Sequence, residues 1–167
     1  MSQFAAMILP EFDEEMANTR KVLERVPDEK FDWRCHPKSN TMGWNANHLA
    51  EIPGWVEGTL TQPFWDAEPE NGPKYAMPQC QNTKEVLELF DKNVAEGHAA
   101  IAAVKDEDTE FVWSLKVKGT PIITMPRKQV IRAFILSHTI HHRAHLCVYL
   151  RLNDIPVPGM YGPSADE

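Results

Sequence analysis

Residues 137–152 read SHTIHHRAHLCVYLRL and place His138, His141, His142 and His145 within eight positions. The chain has seven histidines in 167 residues, so composition alone would put about a third of one histidine in that window. At about 100° per residue, His138 and His142 project about 40° apart, and His145 falls about 20° to the other side of His138. These positions share a stripe with Ile131, Phe134, Ile135, Tyr149 and Leu152, so the cluster is expected to face the core. His141 lies about 60° from His138, at the edge of that stripe.

Imidazoles packed together away from water lose their protons, because burial disfavours the charged form and neighbouring imidazolium ions repel. Neutral rings whose lone pairs converge suit a divalent metal ion. The i, i+4 spacing of His138 and His142 lets both reach one ion, and a third ligand has to come from another helix. Three histidines leave a coordination position open for water or a thiol, as in catalytic rather than closed structural zinc sites.

Outward from this stretch, Pro126 suits the first turn of the helix that carries the histidines, and Asn153 and Pro156 stop it. Residues 111–125, FVWSLKVKGTPIITM, predict a short hairpin turning at Lys118 and Gly119. Val86, Phe90, Val94, Ile101 and Val104 mark a helix opened by Asn82 and Glu85, with His98 on its stripe. The proline-punctuated stretch 63–81 lacks periodicity and reads as a long crossover. Before it, Thr41 or Asn40 caps a helix with an inward stripe of Trp44, His48, Ile52, Trp55 and Val56, bent at Pro53. His48 on that stripe is the best candidate for the third ligand. Ile8, Phe12, Met16, Leu23 and Val26 define a first helix, with Pro10 expected in an irregular first turn. The pattern predicts an all-α four-helix bundle with one long crossover between helices 2 and 3 and a short hairpin before helix 4.

A chain of this length suits a single domain over residues 1–167. A net charge of −7 gives no basic surface, so neither nucleic acid nor an anionic membrane is an expected partner. Cys35, Cys80 and Cys147 form no C-x-x-C pair and read as reduced thiols; with no secretory pattern at the N-terminus, a cytoplasmic location is expected. Ile135, Asn45 and Ala95 stand where Glu-x-x-His motifs would need glutamate, which disfavours a di-iron carboxylate site. H-E-x-x-H, G-x-S-x-G, P-loop and dinucleotide fingerprints are absent. Cys35 beside His36 is a weak nucleophile–base pair, because adjacent side chains rarely aim at each other.

N-H-L-A at 47–50, the long crossover, H-T-I-H-H-R-A-H-L followed by Y-L-R-L, and the closing P-V-P-G-M-Y-G-P-S-A-D-E resemble the DinB-like family over nearly the whole chain. The resemblance implies an up-down-down-up four-helix bundle, homodimers, and one divalent metal held by three histidines, here His48, His138 and His142. The family's H-x-x-x-H-R pattern corresponds to His138, His142 and Arg143, and His145 replaces a glutamine often found soon after that arginine. Some relatives use low-molecular-weight thiols as S-transferases or isomerases.

Two functions follow as expectations. The first is a metal-dependent transferase or hydrolase, with zinc or nickel activating a thiol or water for a small-molecule substrate. The alternative is a non-catalytic, metal-stabilised or ligand-sensing dimeric bundle. Whether His145, His141 or His98 joins the site is left open by the spacing.

Overall fold

The computed structural model describes all 167 residues. Helix α1 (Gln3–Leu23) starts at Ser2, whose hydroxyl accepts from the Ala5 amide at 3.1 Å. Pro10 sits inside this regular helix, not in an irregular first turn. Its ring and the Ala6 carbonyl it leaves unpaired lie on the exposed face, where water can replace the missing donor.

Thr41 caps α2 (Met42–Glu51) by accepting from the Trp44 amide. Pro53 then breaks the helix into a single 3-10 turn, Ile52–Gly54, before α3 (Trp55–Thr61). The crossover leads to α4 (Thr83–Ala103), where Asn82 accepts from the Glu85 amide at 2.9 Å. Glu85 reaches back to accept from the amide of Gln81 at 2.8 Å. After the short α5 (Asp106–Thr109), the chain ends in a continuous helical run over 127–151. Its parts are α6 (Arg127–Gln129), a π-helical segment Val130–Leu136 and α7 (Ser137–Arg151).

Helix α1 packs on α4 and α7, and α2 packs on the same two, so α1 and α2 face each other diagonally across one apolar core. Phe12, Met16, Leu49, Phe90, Ile101 and Ile135 are fully buried there. Gly97 permits the close approach of α4 to the break after α2: a β-carbon there would lie 2.9 Å from the Pro53 carbonyl oxygen.

The expectation of an all-α four-helix bundle is overturned by a three-stranded sheet ordered β1-β2-β3, which makes the chain a mixed α/β protein. The hairpin of β2 (Val112–Val117) and β3 (Thr120–Pro126) forms where expected, and Lys118 and Gly119 turn it with φ of 51° and 75°. Positive φ at both positions matches the twist of a two-residue hairpin. The crossover supplies the third strand, β1 (Phe64–Asp66), parallel to β2 with Trp65 opposite Leu115. An isolated hairpin is marginal in water. Here Asp66 accepts from the amides of Lys118 and Gly119, and Trp113, Leu115 and Val130 form a second small core. No helix is long and apolar enough to cross a membrane.

Candidate metal centre

His48 comes from the second turn of α2, and His138 and His142 from successive turns of α7. One nitrogen of each ring lies within 4.8 Å of the other two, an arrangement that could hold a metal ion. His138 Nε2 is 3.3 Å from His48 Nε2 and 2.9 Å from His142 Nε2. Zinc–nitrogen bonds of about 2.0–2.1 Å put tetrahedral ligand atoms roughly 3.3 Å apart, and ligands at right angles about 2.9 Å apart. Two of the three separations thus match those between the ligands of a small divalent cation, and the third pair lies within 4.8 Å. Protons alone serve the donor set poorly, because three ring nitrogens point at one region.

The far side of each ring decides which nitrogen is bare. Glu51, one turn after His48 and buried, has Oε1 2.7 Å from His48 Nδ1 and accepts a second hydrogen bond from the Tyr75 hydroxyl at 2.6 Å. A proton on His48 Nδ1 satisfies that contact and leaves the Nε2 lone pair free. Burial pushes the Tyr75 hydroxyl well above its ordinary range, so it stays a donor. Asn45 Oδ1 lies 3.4 Å from His142 Nδ1. His138 Nδ1 is buried without a hydrogen-bond partner.

Burial first, and then the neighbouring histidines, depress His138 to about 4 and His142 to about 3. In the unfolded chain these rings titrate near 6.5. Between pH 6.5 and about 4 the unfolded state thus takes up protons that the metal-free native state refuses, and stability falls as pH falls. The loss should be on the order of 1–2 kcal/mol after allowing for solvent screening of half-exposed rings. Urea unfolding of chelator-treated protein at pH 7 and pH 5 measures it, and the His138→Gln/His142→Gln variant should show a shallower pH slope.

Aromatic rings surround the three imidazoles. Trp44 lies 4.7 Å from His48 between ring centroids, and Trp55 and Phe134 lie 5.7 and 5.5 Å from His138. Phe134 belongs to the π-helical segment, a widened turn of the kind that often occurs at functional sites. Ser137 stabilises its end by donating to the Arg132 carbonyl at 3.2 Å.

The remaining histidines lie outside the convergent group. His141 and His145 are exposed on the outer side of α7 with rings 4.2 Å apart, and the His145 ring is 5.8 Å from that of His142. His98 lies 3.6 Å from Asp13 of α1. His36 accepts from the Lys38 amide, which gives its Nδ1 a role in a local turn. Arg143 projects away from the histidines, buried against Glu15. Glu51, Asn45 and Tyr75 are additions that motif spacing did not single out. The available signal was the i, i+3 pair His48–Glu51, in the reverse order to Glu-x-x-His; Tyr75 sits in the crossover, where no periodicity marks it.

Comparison with known proteins agrees with this architecture. The uncharacterized protein YrdA of Bacillus subtilis (strain 168) is 24% identical over 167 residues, covering 100% of this chain and 93% of YrdA. A crystal structure of a DinB-like protein from Bacillus cereus ATCC 10987 superposes with a TM-score of 0.68 at 24% identity, over 92% of this chain and 95% of that one. The DinB-like protein YjoA of Bacillus subtilis gives 0.69 at 13% identity, over 94% and 99%. These likenesses establish the shared fold. The DinB family model matches residues 1–167, and the chain belongs to the DinB family.

Proposed function

We propose that the protein is a metal-dependent enzyme in which His48, His138 and His142 hold one divalent ion, zinc or nickel. Its chemistry is S-transferase-like or hydrolase-like, with a low-molecular-weight thiol or water as the nucleophile. The observation that carries this reading is the convergence of three imidazole nitrogens, with Glu51 fixing the tautomer of one of them. When bound, the ion would acidify a thiol or water at its free position and so supply a nucleophile at neutral pH.

The chain's own residues supply the setting. Glu51 and Tyr75 lock the His48 ring, and the i, i+4 spacing on α7 holds the other two. Trp44, Trp55 and Phe134 pack against the imidazoles and give the centre one apolar side. Three unpaired cysteines accord with a reducing, cytoplasmic setting in which free thiols are available. Homodimer formation belongs to the same proposal and predicts twice the chain mass in light scattering.

The test is a screen of low-molecular-weight thiols against electrophiles and of simple esters and amides, with native and chelator-treated protein side by side. Turnover that disappears on chelation and returns with zinc or nickel is expected. A large thermal shift on metal binding with no turnover across the screen would favour the metal-stabilised, non-catalytic alternative.

A further inference from the structure

Beside the histidine centre lies a cavity of about 190 Å3 lined by Trp55, Gly58, Thr59, Trp65, Trp113 and Phe134, together with Gly54. We propose that this slot binds a small, neutral aromatic group carrying one hydrogen-bond acceptor, and that it seats the substrate next to the metal centre. Its role as a substrate site rests on the metalloenzyme reading above; the binding itself does not.

Four observations support the assignment. The walls are aromatic: Trp55 and Phe134 lie nearly parallel, 18° apart, and Trp65 closes the side at 6.1 Å from Trp55. No ionisable side chain lines the slot, so a charged group would lose its hydration without a partner. The volume suits a single ring, since an apolar cavity of about 150 Å3 takes up benzene. Finally, the Trp113 indole Nε1 is buried without a hydrogen-bond partner. Buried donors are almost always paired, and a small rotation of the Trp113 ring would bring this donor to an acceptor on a ligand in the slot.

The slot is also placed to matter. Trp55 and Phe134 form its wall on one side and lie against His138 on the other. A ring held there stacks against the aromatic layer that packs on His138, and a substituent would pass the edge of that layer to reach the imidazoles. The sheet thus has a function in the site: β1 contributes Trp65 and β2 contributes Trp113.

The experiment uses nitrogen-15-labelled full-length protein, as purified and after chelation, titrated with acetophenone and with ethylbenzene. These probes match in shape, and only the first carries an acceptor. Acetophenone should shift the Trp113 indole resonance and bind about two- to tenfold more tightly than ethylbenzene, the increment of one net hydrogen bond. Both results should persist in the chelated protein, so failure of the metal reading would leave them unchanged. Nothing lies within 4 Å of a β-carbon built at Gly58, so Gly58→Leu should fold normally, fill the slot and weaken both probes at least tenfold. Trp113→Phe should keep ethylbenzene binding and erase the preference for acetophenone. An unmoved Trp113 resonance, or wild-type affinity in Gly58→Leu, overturns the slot; equal affinity of the two probes for the unaltered protein overturns the acceptor.

Discussion

Replacing Arg143 by alanine should lower the free energy of unfolding by about 3–5 kcal/mol, the cost of breaking a buried ion pair from one side. Arg143 is 2% exposed and its partner Glu15 6%. The guanidinium meets Glu15 Oε2 at 2.6 Å and donates to the Glu15 carbonyl at 3.0 Å, joining α7 to α1. Tyr161 completes the network: its hydroxyl donates to Glu15 and accepts from Arg143, pinning the C-terminal tail. Without the arginine, Glu15 loses its buried counter-charge. The double variant Arg143→Met/Glu15→Met should be less destabilised than Arg143→Ala, because it removes both charges and keeps the volume. Urea denaturation compares the two, and faster proteolysis within 152–167 in the alanine variant would report release of the tail.

Glu51→Gln should weaken binding of zinc or nickel about 10- to 100-fold, the usual cost of altering the group behind a metal-binding histidine. The carboxylate oxygen at 2.7 Å from His48 Nδ1 orients the ring and raises its basicity. A neutral amide keeps an acceptor but loses the charge, and it can turn its NH2 towards the ring. Tyr75→Phe should have a smaller effect in the same direction, since it removes only the hydroxyl that steadies Glu51. Competition against a chromophoric chelator measures both affinities.

Much of this arrangement was legible from periodicity. The helix over 127–151, the Thr41 cap and the hairpin turning at Lys118–Gly119 each carry a local signal of spacing, cap or turn residue, and the structure shows each; at Pro53 the expected bend is a full break into a 3-10 turn. His48, His138 and His142 were legible as one group because their helical stripes face a common core. Strand β1 was not legible. It is three residues long, sits just after a proline, and pairs with residues about fifty positions away, so nothing local distinguishes it from loop. Its omission produced the all-α expectation. Arg143 illustrates another limit: one residue from His142 in sequence, it points about a quarter-turn round the helix and serves the core. Sequence adjacency to a ligand does not give a residue the ligand's role.

Metal analysis of the untagged protein, alongside His142→Ala, tests the three-histidine centre most directly. The native chain should carry or take up about one zinc or nickel ion, and the variant should hold almost none while keeping the far-UV circular dichroism of the native fold. Full metal stoichiometry in His142→Ala, or none in the native protein after incubation with either ion, would contradict the assignment of His48, His138 and His142 as its ligands.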